Sequence, residues 1–546
     1  TPLLASPLEG DVFLGAPECA PCSPAAAQEG KLLRLLIQAR QASATVKLEG
    51  AVSIDQATGA LTASFDDLPE LPLEDVQLTL AGGQNAPLAN PPGPCGAALA
   101  AASQLTPYSS ETPAEPSSEP FALSGCAQPT FAPSFVAGTT NNQAGAASPL
   151  TVTLSRSDQD EDLRRLSVRL APGLLATLAK VVPCPEARAQ AGSCEPQSRV
   201  GSVVVGAGPG PNPLFLEGSV YLTGPYQGAP FGLAIVVPVL AGPLDLGTID
   251  LRARIEVSPS TAALTIASDP LPQSLDGIPL ALKTIHLDVD REGFVVNPTN
   301  CRALAIEGVL DSSVGATATV SSRFQAANCA TLPFKPRLSG LTHAKTSKAD
   351  GAYLHMRLES APGQANIAKL KVDVPRQLPV RLTTLQNACT VAVLQANPAS
   401  CPAASVVGSV TVITPVLRHA LVGPVYLVSH GGAQTPDLEF VLQGEGVTVD
   451  VVGQTIIGHG VISAVFRSLP DVPISRLGLV LSPGPHSLLA ANLPAKAKRS
   501  LCGQSLAMAT AITAQNGAVV KQTTKISVLG CPRRKASKHS ASKRKA

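Results

Sequence analysis

Hydrophobic and polar residues alternate with a period of two along much of this chain. Leu150, Val152 and Leu154 alternate with Thr151, Thr153 and Ser155, and Leu354, Met356 and Leu358 flank His355 and Arg357. Such alternation sends one set of side chains to a core and the other to water, and it predicts half-buried β-strands. Leu233 to Leu240 is instead a continuous apolar run interrupted only by Pro238, which suits a strand in a sandwich interior or at an edge. Helical patterning is scarce, and Leu174 to Val181 is the stretch that predicts a short helix. With 45 Gly and 50 Pro spread along the chain, long helices are disfavoured and short strands joined by turns are favoured. The pattern predicts an all-β protein made of tandem β-sandwich domains, Ig-like or related, with little helix.

The twelve cysteines fall into six local pairs: Cys19 with Cys22, Cys95 with Cys126, Cys184 with Cys194, Cys301 with Cys329, Cys389 with Cys401, and Cys502 with Cys531. Connectivity does not follow from sequence alone, but the spacing repeats. The wide pairs are separated by 31, 28 and 29 positions and two narrow pairs by 10 and 12. Cys95 to Cys301 is 206, Cys301 to Cys502 is 201 and Cys184 to Cys389 is 205. A period near 205 is far above the roughly 20–50 residues of solenoid repeats, so it marks tandem domains.

Other residues keep the same register. Glu217-Gly218-Ser219-Val220-Tyr221-Leu222 echoes Glu9-Gly10-Asp11-Val12-Phe13-Leu14, and Val425-Tyr426-Leu427 echoes both. Leu68-Pro69, Leu271-Pro272 and Leu469-Pro470 correspond, as do Asn90-Pro91 and Asn297-Pro298. The register divides the chain into a partial first unit (1–147), a second (148–336), a third (337–531) and a basic tail (532–546). Each unit of roughly 190 residues has room for one large sandwich or two small ones.

The strings Gly224-Pro225-Tyr226-Gln227-Gly228-Ala229-Pro230-Phe231-Gly232, Asp269-Pro270-Leu271-Pro272, Asn297-Pro298-Thr299-Asn300-Cys301 and Leu332-Pro333-Phe334-Lys335-Pro336 mark the second unit. Through them it resembles the β-rich, cysteine-paired repeat of long, exported, largely uncharacterised proteins of high-GC Gram-positive bacteria. In the third unit the Gly-Pro-Tyr string gives way to Ser429-His430-Gly431-Gly432, and the resemblance is weaker. It implies export and a surface setting, and brings no activity or functional residue with it.

Composition narrows the function classes. A net charge of +2 exerts no global pull on nucleic acid or an acidic partner. With aromatics at 3% and no Trp, the stacking platforms of carbohydrate-binding faces and single-stranded nucleic-acid sites are poorly supplied. No apolar run approaches the roughly 18 residues of a membrane span. Thr1 is neither an initiator Met nor the start of a signal peptide, so a fragment or processed chain, with any export signal upstream, is expected.

Candidate chemistry is sparse. Cys19-Ala20-Pro21-Cys22 has redox-pair spacing, but Pro17, Pro21 and Pro24 surround it with no βαβ pattern, which favours a structural clip. Even count, local pairing and repeated spacing make disulfides in an oxidising compartment the natural reading of all twelve cysteines. Asp158, Asp160 and Asp162 alternate on a loop and form a weak calcium candidate, lacking the Gly and closing Glu of an EF-hand. A solvated acidic turn is the competing reading. His430-Gly431-Gly432 is similar to an esterase oxyanion loop, but no Gly-x-Ser-x-Gly nucleophile elbow accompanies it.

Two segments are of low complexity. The Pro-, Ser-, Glu- and Thr-rich stretch 106–120 is expected to be an extended, mobile insertion and a candidate glycosylation target. The tail carries Arg533, Arg534, Lys535, Lys538, Lys543, Arg544 and Lys545, suited to anionic cell-wall polymer or lipid heads, or simply to solubility. The expectation is therefore a non-enzymatic, secreted or cell-surface structural or adhesive repeat protein without cofactor, metal or nucleic-acid partner. The alternatives are an extracellular carbohydrate- or peptide-binding array, or the non-catalytic part of a larger exported enzyme.

Overall fold

The computed structural model describes residues 6–532 except 20–21, 42–43, 56–58, 84–85, 89–98, 111, 125–129, 243, 276–277, 433–434, 459–460 and 495–496. Cys95, Cys126, Asn90-Pro91 and the basic tail from Arg533 onward lie outside the described residues.

Counting strands of four residues or more, the first unit contributes β1 (Glu9–Gly15), β2 (Leu33–Gln41), β3 (Ala44–Ile54) and β4 (Leu61–Ser64), a four-stranded meander paired in that order. A separate antiparallel ribbon follows, β5 (Leu99–Ser103) with β6 (Ser117–Phe121). The Ser117–Pro120 end of the stretch expected to be an extended insertion is thus paired, through contacts such as Ser103 opposite Ser117.

The barrel of the second unit has eleven strands, the first of which lies before the boundary that the repeat register places at 148. They are β7 (Ser134–Thr139), β8 (Leu150–Ser155), β9 (Leu163–Arg169), β10 (Arg199–Ala207), β11 (Leu214–Thr223), β12 (Phe231–Ala241), β13 (Leu244–Val257), β14 (Leu264–Ser268), β15 (Thr284–Val289), β16 (Leu304–Ser312) and β17 (Thr317–Phe324). The third supplies β18 (Arg337–His343), β19 (Leu354–Glu359), β20 (Ile367–Val374), β21 (Val406–Ile413), β22 (Leu421–Ser429), β23 (Asp437–Gly444), β24 (Val447–Gly458), β25 (Val461–Phe466), β26 (Arg476–Leu481), β27 (Ala507–Ala514) and β28 (Val519–Leu529).

Both units arrange these strands in one order. The second reads β7-β8-β15-β10-β11-β12-β13-β14-β9-β16-β17, and adding eleven to each label gives the third. In the third unit the ring is complete, because β18 pairs in parallel with β28. In the second, β17 approaches β7 side by side, and the Ser322 hydroxyl donates to Ala137 O at 2.8 Å. Each unit is therefore a single sheet curled around one core, the barrel form of sheet-on-sheet packing, which leaves few free edges. The β1–β4 meander matches β11–β14 and β22–β25 in order and direction.

The alternating segments behave as their patterns predict. Leu354 and Leu358 are buried at 0% and 2% exposure, and Leu150 and Leu154 are buried with them. The apolar run from Leu233 lies mid-sheet in β12, between β11 and β13. Pro238 is accommodated where the β12–β13 register slips between Pro238 and Leu240, since a strand proline cannot donate to a ladder. The helix expected over Leu174–Val181 does not form. Leu175–Ala176 instead pairs with Val295–Val296, and Leu178–Lys180 makes a 3₁₀ turn. These residues are buried from several sides: Leu174 is 0% and Val181 1% exposed, so tertiary packing overrides local preference.

Candidate functional site

Ten described cysteines form five bonds, Cys19–Cys22, Cys184–Cys194, Cys301–Cys329, Cys389–Cys401 and Cys502–Cys531. Cys301–Cys329 closes the base of the β16–β17 hairpin, and Cys502–Cys531 does the same for β27–β28. The narrow pairs act differently. Cys184–Cys194 holds a short helix, Glu186–Gln190, over Tyr221 and Ala234 on the outer face of the second barrel. Cys389–Cys401 holds Val391–Ala396 over Tyr426, Val428 and Val441 on the third. The Cys19–Cys22 clip buries Cys22 completely, and Cys22 O accepts from Asp245 N at 3.2 Å, tying the first unit to the second.

Under the Cys184–Cys194 loop the sequence strings of the repeat acquire a physical role. Tyr226 Oη donates to Asp269 Oδ2 at 2.5 Å and Gln227 Nε2 to Asp269 Oδ1 at 2.9 Å. The Arg252 guanidinium lies 4.2 Å from the centre of the Tyr226 ring, and forks onto Glu186 with both contacts at 2.9 Å. Burial, seconded by Asp269, pushes the Tyr226 phenol up. The hydrogen bond from Arg252, against the opposing effect of burial, holds the Glu186 carboxyl below its usual range.

Strand pairing shows what the third unit has put there. Tyr221, Ala234 and Arg252 stand abreast in the second barrel, and Tyr426, Glu439 and Val452 stand abreast in the third. The buried charge has changed sign and moved one strand. His430, from the Ser-His-Gly-Gly replacement, lies 3.3 Å from Glu439 and 3.4 Å from Asp437. Burial raises the Glu439 carboxyl; His430 opposes that, and Asp437 and Asp450 add to it. His430 thus faces carboxylates.

Asp158, Asp160 and Asp162 go to three different partners. Asp158 pairs with Lys283 at 2.8 Å and Asp162 with Arg156. Asp160 accepts from Thr130 Oγ1, Ala132 N, and Ser157 N and Oγ, at 2.8 to 2.9 Å. Burial alone would raise its carboxyl, but these four donors outweigh burial and hold it low. Among the described residues no three His, Cys, Asp or Glu side chains gather as a metal cluster.

Two features that sequence reasoning missed involve residues of both the second and the third unit. The first is a joint built on Asp471, which is 4% exposed. Its Oδ2 accepts from Thr299 N at 2.8 Å, Asn300 N at 3.2 Å and Asn300 Nδ2 at 2.8 Å. Its Oδ1 accepts from Thr299 Oγ1 at 2.6 Å and Asn366 Nδ2 at 2.8 Å. The Asn-Pro-Thr-Asn-Cys string is therefore a connector. Asn297 Nδ2 anchors it to Asn141 O and Gln143 O of its own barrel, Thr299 and Asn300 grip the next barrel, and Cys301 ties it to Cys329. Gly173, at φ +90°, packs so closely that a Cβ there would lie 2.8 Å from Pro298 Cβ and 2.9 Å from Asp471 Cβ. Asn516 Nδ2 completes the contact, donating to Cys329 O at 2.9 Å.

The second feature is a chamber of about 200 Å³ inside the third barrel. Its walls are aliphatic, with Leu354, Leu427, Val449 and Leu479 among them and Phe440 and Phe466 as aromatic members. The end facing the second unit is floored by that unit's Leu175, Phe231 and Ile255, all buried. At the other end, Val374, Val380, Thr455 and Ile462 are only half-buried. Of the polar lining groups, the Ser463 hydroxyl donates to Asp373 at 2.5 Å, and Thr414 Oγ1 accepts from Val416 N. Left empty, a space of this size costs on the order of 5 kcal/mol at roughly 24 cal/mol per Å³. That equals the lower end of domain stabilities, about 5–15 kcal/mol. An apolar cavity near 150 Å³ can stay dry and admit benzene.

Neither a family model nor a curated protein matches the chain. Among solved structures it is similar to the type II cohesin dyad from the adaptor ScaA scaffoldin of Acetivibrio cellulolyticus. The two are 8% identical, 73% of this chain and 97% of that one are covered, and the TM-score is 0.16. It is also similar to a Corynebacterium diphtheriae protein described as membrane-anchored, at 7% identity, 78% and 95% coverage and a TM-score of 0.14. Likenesses this weak inform neither its fold nor its role. Among the described residues no helix is long and apolar enough to cross a membrane, and the five disulfides fit an oxidising, extracellular compartment.

Proposed function

We propose that this chain is a non-catalytic, exported structural protein of the cell surface, in which disulfide-stapled barrels are coupled end to end. The observation that carries the reading is the Asp471 joint. A buried carboxylate from one barrel takes four of its five hydrogen bonds from the connector of the preceding barrel, which is far more specific than a flexible linker requires. Repeated, locally stapled units suit a stalk or display scaffold exposed to proteases and reducing agents outside the cell. The basic tail supplies a salt-sensitive hold on anionic wall polymer.

Small-angle scattering on the full chain tests this. The wild type should give an extended, rigid particle, and Asp471→Ala a more flexible one at the same mass. A compact sphere for the wild type, insensitive to that substitution, would remove the scaffold reading.

A further inference from the structure

We propose that the end of the third barrel facing away from the second unit docks on an anionic lipid surface. In the second barrel the corresponding end seats the third barrel, and three segments build it. They are the loop 140–149 between β7 and β8, the stretch 170–183 between β9 and Cys184, and residues 297–300 ahead of Cys301; Lys180 is their one charged residue. Thr299 and Asn300 take up Asp471 there, Ala179 N donates to Val416 O at 3.0 Å, and Gly173 lets the barrels touch. The counterparts in the third unit are 344–353 between β18 and β19, 375–388 between β20 and Cys389, and 498–501 ahead of Cys502. They carry Lys345, Lys348, Arg376, Arg381, Lys498 and Arg499 against Asp350 alone. Beyond Asp471 the chain contains no Asp or Glu. An end that is nearly neutral in one unit is thus cationic in the next.

These segments interlock into one surface. Lys345 pairs with Ser500, and Thr346 N donates to Arg499 O at 3.1 Å. Gly484 N donates to Asp350 O at 2.7 Å and Arg381 Nη1 to Gly484 O at 3.1 Å, which links the 344–353 loop to the 375–388 stretch. Lys345, Lys348, Lys498 and Arg499 are exposed, and none forms an ion pair with a described residue. The Asp350 carboxylate accepts from Ser347 Oγ at 2.9 Å within its own turn. Lys498 and Arg499 stand at φ +46° and +60°, strained values for residues other than glycine and of a kind that clusters at functional sites. Like charges gathered at one pole attract an anionic partner, and apolar exposure selects a bilayer. Leu382, next to Arg381, is 74% exposed, the highest value for a large hydrophobic side chain among the described residues. Leu529, whose O accepts from Ala344 N at 2.7 Å, is 50% exposed. Cations interspersed with protruding leucines match phosphate headgroups above acyl chains, whereas a soluble polyanion gives the leucines nothing to enter.

The test is co-sedimentation of the full chain with vesicles of phosphatidylglycerol and phosphatidylcholine, against phosphatidylcholine alone and against soluble polyphosphate. The wild type should bind the anionic vesicles, and more weakly as salt rises. Replacing Lys345, Lys348, Lys498 and Arg499 together by Gln should cost at least about a hundredfold, since each cation near an anionic bilayer contributes about fivefold. Leu382→Ser should cost about tenfold at every salt concentration. Both variants alter exposed side chains, so their thermal transitions should stay in place, which separates loss of docking from loss of the fold. A chain ending at Pro532 separates this pole from the basic tail: it should still bind, and lose binding with the same four substitutions. Four results each overturn the proposal: no binding to anionic vesicles, no binding once the tail is removed, undiminished binding by the folded quadruple variant, or polyphosphate bound as tightly as vesicles with Leu382→Ser costing nothing. Docking presupposes the surface setting of the proposed function but not a rigid array, so its failure is distinct from a failure in scattering.

Discussion

Asp471→Ala is the perturbation that most directly probes how the barrels are joined. It removes the acceptor of five hydrogen bonds at a site 4% exposed. The Thr299 hydroxyl and the two asparagine amides can rotate towards other acceptors. The backbone N–H groups of Thr299 and Asn300 cannot, because the connector is pinned by Asn297 on one side and by Cys301–Cys329 on the other. Each buried donor left unsatisfied costs about 1–3 kcal/mol, so two cost about 4 kcal/mol, within the roughly 3–5 kcal/mol seen when one member of a buried charged contact is removed. The coupling between barrels should weaken by about a thousandfold at roughly 1.4 kcal/mol per factor of ten. Hydrogen exchange followed by mass spectrometry reads the two amides directly, and calorimetry reads the coupling. In the variant the Thr299 and Asn300 amides should lose protection, and the melting profile should split into separate transitions. If protection persists and the profile shifts by less than about 0.5 kcal/mol, the joint is not what holds the barrels together.

Replacing Cys301 and Cys329 together by Ala opens a loop of 28 residues and should cost about 3–4 kcal/mol on the chain-entropy account, measurable as a lower urea midpoint of the second barrel. Arg252→Met removes the fork on Glu186. Because Glu186 is held low in the folded chain, its contribution is present above the unfolded carboxylate value and lost as pH falls through the depressed folded one. Urea titrations below about pH 4.3 should therefore show a shallower acid decline in the variant, and an unchanged decline would remove the pair from the account. Glu439 has the opposite sign. Its folded value is raised by burial, so stability is full below the unfolded value and falls as pH rises through the folded one. Glu439→Gln should flatten that fall and leave the third barrel at least as stable at neutral pH; a destabilised variant would show that the ionised pair with His430 is needed.

Much of the architecture was legible in the chain alone. Period-two alternation located strands such as Leu150–Ser155 and Leu354–Glu359, because a pleated backbone turns successive side chains to opposite faces whatever it pairs with. Cysteine spacing located the five described disulfides, because short loops close readily and repeat with the fold. Those are local properties, and sequence determines them. Tertiary structure decided the rest. Ring closure rests on β18 meeting β28 across nearly two hundred residues, a contact with no local signal. The predicted helix at Leu174–Val181 yielded to burial on several sides, and residues of that segment became the chamber's floor. Asp471 reads in sequence as one more loop carboxylate. Only when two barrels meet do Thr299, Asn300 and Asn366 converge on it. The hollow in the third barrel is likewise invisible to pattern, since Leu and Val look the same whether they touch each other or face an empty bore. Packing at a distance separates those cases, and a linear sequence does not display distances.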